Sequence, residues 1–207
     1  MAPGSSLGAG LDFLRSAAQD ILPSGYSVDF GGESRQYAEQ GSALLVTFFL
    51  ALIVIYLVLA AQFESWRDPL IILVSVPMSI AGALVFMTLG LATVNIYTQV
   101  GLITLIGLIS KNGILIVEFA NQLRERDGLE RRHAIEKAAA IRLRPILMTT
   151  VAMIVAMVPL LLATGPGAVG RFDIGLVIAT GLAIGTLFTL FVVPAVYLVL
   201  SSRHSRS

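Results

Sequence analysis

Five long apolar runs dominate the sequence: Ala43–Ala61, Pro69–Leu91, Val100–Phe119, Pro145–Ala163 and Ile174–Leu200. At 1.5 Å of rise per residue, each is long enough to cross a hydrocarbon core about 30 Å thick. Backbone N–H and C=O groups in lipid need internal partners, so runs of this length read as helices. Pro77, Pro159 and Pro194 fall inside three of them and are expected to interrupt hydrogen bonding locally. Only 13% of residues are charged, 56% are hydrophobic and the mean hydropathy is +0.85. Soluble domains carry about a quarter charged residues. The chain therefore reads as an all-α membrane protein, a five-span bundle.

The connections set an expected orientation. Gln62–Asp68, Ala120–Arg144 and the tail after Leu200 would share one side. They carry Arg67, then Arg124, Arg126, Arg131, Arg132, Lys137, Arg142 and Arg144, then Arg203 and Arg206. Arg15, Arg35 and Arg171 lie on the other side. The positive-inside rule places the basic side and residues 201–207 in the cytoplasm, and residues 1–42 outside. Trp66 and Tyr197 near the inner boundary, and Tyr97 near the outer one, suit interfacial anchoring. The first thirty residues lack a basic start followed by an apolar core, so no signal peptide is expected and the first span would direct insertion.

Residues 1–42 differ in kind. Leu7, Leu11, Leu14, Ala18 and Ile21 recur at helical spacing before Pro23. "YSVDF" then alternates Tyr26, Val28 and Phe30 as a short strand would. The expectation is a short extracytoplasmic α/β segment, too small for a core of its own. In "RERDGLERRHAIEKAAAIRLRP", Ala134, Ile135, Ala138 and Ile141 at helical spacing predict a cytoplasmic connector with a short surface helix.

Several chemistries find no support. A net charge of +1 gives no basic field for nucleic acid, and the absence of cysteine excludes a disulfide framework, a thiol nucleophile and a thiolate metal site. "GPGAVG" at 165–170 matches G-x-G-x-x-G but follows a hydrophobic helix, so it reads as a turn rather than a dinucleotide cradle. His133 and His204 have no second ligand at metal spacing. No serine, histidine and acid arrangement suggests an enzyme. Gly181 and Gly185 form G-x-x-x-G, and Ser75, Ser79 and Ala83 a similar stripe, both predicting close helix packing.

Lys111 in "GLISKNGILIVEFAN" is the exception to an inert interior. It lies about eleven residues into its span, too deep for easy snorkelling. A charge at that depth costs a few kcal/mol and normally faces a bundle interior or a hydrated cavity. Glu118 shares its face but lies two turns away, about 10 Å along the axis. Asp173 and Glu64 fall at the span boundaries, and no aspartate falls within any of the five runs. Two accounts stand: a structural lysine using carbonyls or water, or an ion or proton relay whose acidic half lies on another helix.

Four stretches carry a resemblance: "AAQFESWRDPLIILVSVPMSIAGAL", "GLITLIGLISKNGILIVEFANQLRER", "AAAIRLRPILMTTVAMIVAMVPLLLATGPG" and "IGLVIATGLAIGTLFTLFVVPAVYLVL". Together and in this order they resemble the C-terminal membrane half of RND (resistance–nodulation–cell division) efflux pumps of the multidrug, hydrophobe/amphiphile branch. The five spans match helices eight to twelve of that family, and residues 1–42 resemble the end of its second periplasmic porter region. The resemblance implies a homotrimer in the inner membrane of a bacterium, with no cofactor beyond the proton as coupling ion. It implies a periplasmic adaptor and an outer-membrane channel as partners. It also implies a proton relay in which a lysine meets two aspartates on the fourth helix. The lysine falls on Lys111, the relay's basic residue on Arg142 and its threonine on Thr149, with Asn112 and Glu118 as possible supports. The aspartates would sit in an N-terminal half that this chain lacks. Rival expectations are a non-transporting truncated fragment or pseudogene product, and part of an RND exporter for metals or lipids.

Overall fold

A computed structural model describes residues 7–23 and 26–201. Seven helices follow one another: α1 Leu7–Ile21, α2 Glu33–Phe63, α3 Asp68–Leu73, α4 Ser75–Thr88, α5 Ile96–Asp127, α6 Arg131–Leu161 and α7 Ala168–Leu200. Among the described residues, five helical stretches are long and apolar enough to cross a membrane, α3 and α4 counting as one. Arg203, His204 and Arg206 lie outside the described residues.

The ring of Pro77 has no N–H for the Leu73 carbonyl and crowds it, which interrupts the helical ladder between α3 and α4, although Val74 keeps right-handed helical angles (φ −59°, ψ −27°). Pro145 and Pro159 lie inside α6, and Pro194 inside α7, without ending either helix. The connector helix anticipated before Pro145 is therefore not a separate element. It is the first part of α6, and Ala134, Ile135 and Ala138 are fully buried rather than laid on a surface. α5 likewise runs on to Asp127, ending where Gly128 takes a left-handed conformation (φ 63°).

The strand expected in residues 26–30 does not form. Tyr26 and Val28 are exposed, and this stretch pairs with no neighbour. An extended segment needs a second strand for its backbone groups, and the described residues supply none. The expected α/β segment is thus helix α1 followed by irregular chain. α1 itself forms where predicted, yet Leu14 and Ile21 on its apolar stripe remain exposed.

α7 packs against α4, α5 and α6. Within the most apolar 18-residue stretch of each span, about half of α5 and α7 is buried (50% and 56%), against 6% of α2 and 11% of α6. α7 is therefore central, and α2 and α6 are peripheral. Small residues permit the central contacts. A Cβ added at Gly185 would collide with the Ser79 side chain, one at Gly181 with Leu105, and one at Gly82 would lie 2.6 Å from Ile184. The two small-residue stripes seen in sequence touch at Ser79 and Gly185, where α4 seats on α7, whereas Gly181 admits Leu105 of α5.

Two clusters of apolar side chains fill the bundle. One gathers Ile71, Ile72, Ile116, Val117, Ile135, Ile146 and Tyr197; the other gathers Val76, Leu105, Ile106, Ile109, Val177 and Leu182. Along α4, α5 and α7, Ser75, Ser79, Ser110, Asn112, Thr186 and Thr189 lie among these apolar side chains, all buried. Most of these hydroxyls turn back onto their own helix: Ser79 to Ser75, Ser110 to Ile106 and Thr189 to Gly185. Asn112 is different, because its side chain crosses to other helices.

Candidate functional site: a polar face on α5 and α6

Lys111 sits at the middle of the 32-residue α5. Its side chain is exposed, and it has no hydrogen bond or ion pair among the described residues. Next to it, Asn112 is fully buried. Its amide donates to the Thr186 hydroxyl on α7 (3.0 Å) and lies 3.4 Å from that of Thr150 on α6. The two threonine hydroxyls are 3.2 Å apart, closing a triangle across three helices. The Asn112 carbonyl oxygen Oδ1 is buried without a partner among the described residues.

A second contact fixes the register of α5 against α6. The Arg142 guanidinium carbon lies 4.5 Å from the centre of the Phe119 ring, a cation–π arrangement. Pairing Asn112 with Thr150 and Phe119 with Arg142 means that residue numbers rise on one helix as they fall on the other, so the helices are antiparallel. From Asn112 to Lys111, and from Thr150 to Thr149, each chain steps back by one residue. On antiparallel helices those steps of about 100° turn both side chains toward the same side of the pair. Glu118 and Arg142 are each seven residues, two turns, from Lys111 and Thr149, and so lie on the same faces.

The anticipated residues Lys111, Glu118, Arg142 and Thr149 thus share one side of the α5–α6 pair, with Asn112 behind them. They do not form one bonded cluster. Glu118 accepts from Gln122 (3.4 Å), Thr149 donates to the Ile146 carbonyl of its own helix (3.0 Å), and the Nε of Arg142 is buried with no partner among the described residues. Thr150 and Thr186 escaped sequence reasoning, since a threonine in an apolar helix gives no sign of which way it points. Their one signal was placement: Thr150 directly follows Thr149, within an otherwise apolar run.

Polar side chains also close the two ends of the bundle. At the end bearing the arginine-rich turn, Asn121 donates to Asp68 (2.9 Å) and accepts from the Tyr197 hydroxyl (2.7 Å). Arg124 donates to Tyr197 (3.2 Å) and Ser201 (2.9 Å). Tyr197 is therefore not the interfacial anchor expected: it is fully buried, because its hydroxyl has two partners inside. A cavity of about 800 Å³, lined by Asp68, Arg124 and Arg131 among others, opens beside this network. At the opposite end, Asn95 caps α5 by accepting from the Thr98 N–H (2.9 Å), and its amide donates to Asp173 of α7. Asp173, placed by sequence at a span boundary, lies inside α7 and is only 2% exposed. A carboxylate at that position is tolerable because donors reach it.

The sequence profile of the AcrB/AcrD/AcrF family matches residues 1–201. An uncharacterized transporter of Haemophilus influenzae is 54% identical over 208 residues, covering 98% of this chain and 20% of that protein. The multidrug export protein AcrF of Escherichia coli is 37% identical, covering 96% of this chain and 19% of its own length. The toluene efflux pump membrane transporter TtgB of Pseudomonas putida is 39% identical, covering 97% and 19%. The chain therefore spans about a fifth of the length of these relatives, and it belongs to the AcrB/AcrD/AcrF family of RND efflux transporters.

Proposed function

We propose that this chain supplies the lysine-bearing side of an intramembrane proton relay in a proton-driven drug exporter. The observation that carries it is Lys111: a cation at the middle of a membrane-spanning helix, on the open side of the α5–α6 pair, unpaired among the described residues. Such a group requires an anionic or hydrated partner, and the sequence resemblance supplies one in a pair of aspartates on a preceding segment. Met148, Val151 and Val155 leave an exposed apolar stripe on α6 for that segment to cover.

In this mechanism an ionised carboxylate beside Lys111 favours the charged amine. Protonating the carboxylate removes the attraction and releases the lysine to a new position. Thr149 and Arg142, on the same side, offer a hydroxyl and a second cation to the alternative arrangement. The movement is passed on through helices whose close approach at Gly82, Gly181 and Gly185 leaves little slack. Two arrangements, biased by proton occupancy, are what alternating access requires. The basic turn and the C-terminal end lie in the cytoplasm and the N-terminal segment in the periplasm, following the arginine distribution. Drug capture belongs to periplasmic parts outside this chain, and the homotrimer, periplasmic adaptor and outer-membrane channel are partners of the whole pump.

The test is a chimera in which this chain replaces the matching segment of the Haemophilus influenzae transporter, expressed in bacteria lacking their own drug pumps. Lys111→Met should abolish export of a fluorescent dye while membrane levels stay unchanged. Export at the parental rate in Lys111→Met would overturn the relay.

A further inference from the structure

We infer that Asn112, clamped by Thr150 and Thr186, is a positioning residue that fixes the rotation of α5 and so aims Lys111. The inference rests on the relay proposed above and adds to it the part of the fold that sets its geometry. Asn112, Thr150 and Thr186 are at most 4% exposed, and each lies on a different helix. Their mutual distances of 3.0, 3.2 and 3.4 Å are the side-chain hydrogen bonds that tie α5, α6 and α7 together midway along the bundle.

The apolar contacts around them cannot do this alone. α5 is apolar on several faces, so rotating it exchanges one aliphatic contact for another at small cost. A buried amide admits no such exchange: turning it away strips it of both hydroxyl partners in a low-dielectric interior and leaves the two threonines only each other. Because Lys111 immediately precedes Asn112, and Thr149 immediately precedes Thr150, the clamp determines that lysine and threonine emerge on the same side. The Asn112 Oδ1, one residue from the relay cation, is buried and has no partner among the described residues.

Cross-linking tests the geometry directly, because the chain contains no native cysteine. Lys111→Cys and Thr149→Cys are combined in the full chain in lipid nanodiscs and treated with a short bismaleimide. In the parent background the pair should cross-link efficiently. Adding Asn112→Leu, or Thr186→Val if the former does not insert, should lower the cross-linking rate about fivefold or more, the effect of losing one buried hydrogen bond. Adding Thr150→Ser, which keeps the hydroxyl, should leave it unchanged.

In the chimera that retains Lys111 and Thr149, Asn112→Leu should likewise reduce dye export about fivefold or more, and Thr150→Ser should preserve it. Parental cross-linking in both Asn112→Leu and Thr186→Val overturns the clamp. If Lys111→Met still abolishes export in that case, the relay stands without it. Undiminished export in Lys111→Met refutes the relay, and with it the purpose assigned to the clamp.

Discussion

Gly185→Ala tests how tightly α4 is seated on α7. Adding a methyl group to a helical glycine normally favours the helix by about 1 kcal/mol. At Gly185 the new Cβ would collide with the Ser79 side chain and lie 2.9 Å from the end of Ile109. Ile109 can shift its terminal methyl, but Ser79 is fully buried and its hydroxyl is bonded to the Ser75 carbonyl at 2.9 Å. Rotating Ser79 away breaks that bond, and holding it forces the helices apart. Overpacking of this kind costs about 1–3 kcal/mol, so the net effect is a loss of about 0–2 kcal/mol after the helical gain. Gly107, on the exposed side of α5, provides the comparison, since its added Cβ would meet nothing within 4 Å. Gly107→Ala should show the helical gain alone, which puts the two variants about 1–3 kcal/mol apart with Gly185→Ala the less stable. Unfolding of the chain in mixed micelles of increasing SDS content, followed by circular dichroism, measures the difference. Equal midpoints for the two variants would refute the packing of Ser79 against Gly185.

Two further predictions address the ends of the bundle. Tyr197→Phe removes a buried hydroxyl that serves both Asn121 and Arg124, and should cost about 1–2 kcal/mol. Tyr56→Phe, which loses only an exposed contact to the Trp66 carbonyl, should fall within about 0.5 kcal/mol of the parent in the same unfolding assay. Asn95→Ala removes the cap of α5 and a donor to Asp173, and should cost about 1–2 kcal/mol, with faster hydrogen exchange in the first turn of α5. A cycle with Asp173→Ala should give a coupling of at least about 0.5 kcal/mol; simple additivity would mean that the two side chains do not depend on each other.

The number of spans was legible in the sequence because it depends on length and apolarity, which are properties of the chain in one dimension. So was the depth of Lys111, since counting residues along a helix of known rise places an atom along its axis. Order and composition also carried the family, through four stretches that span most of the chain.

Rotation was not legible. In a helix that is apolar nearly all round, inward and outward faces look alike, so no periodicity announces that Thr150 and Thr186 turn inward while Lys111 turns out. That outcome is settled by contacts between helices: glycines that let α4 and α7 meet, and one amide whose hydrogen bonds cannot be exchanged for aliphatic contact. The same limit explains Tyr197, whose position near a span end suggested an interface and whose partners, Asn121 and Arg124, come from a helix more than seventy residues away. It explains the missing strand as well, because alternation in "YSVDF" specifies a face but cannot supply the neighbouring strand that would complete its hydrogen bonds. The sequence by itself determined how many helices are long and apolar enough to cross a membrane, and where Lys111 falls along its own helix. Only the tertiary structure decided which way each helix faces, because in an apolar setting facing is set by the few polar and close contacts between helices.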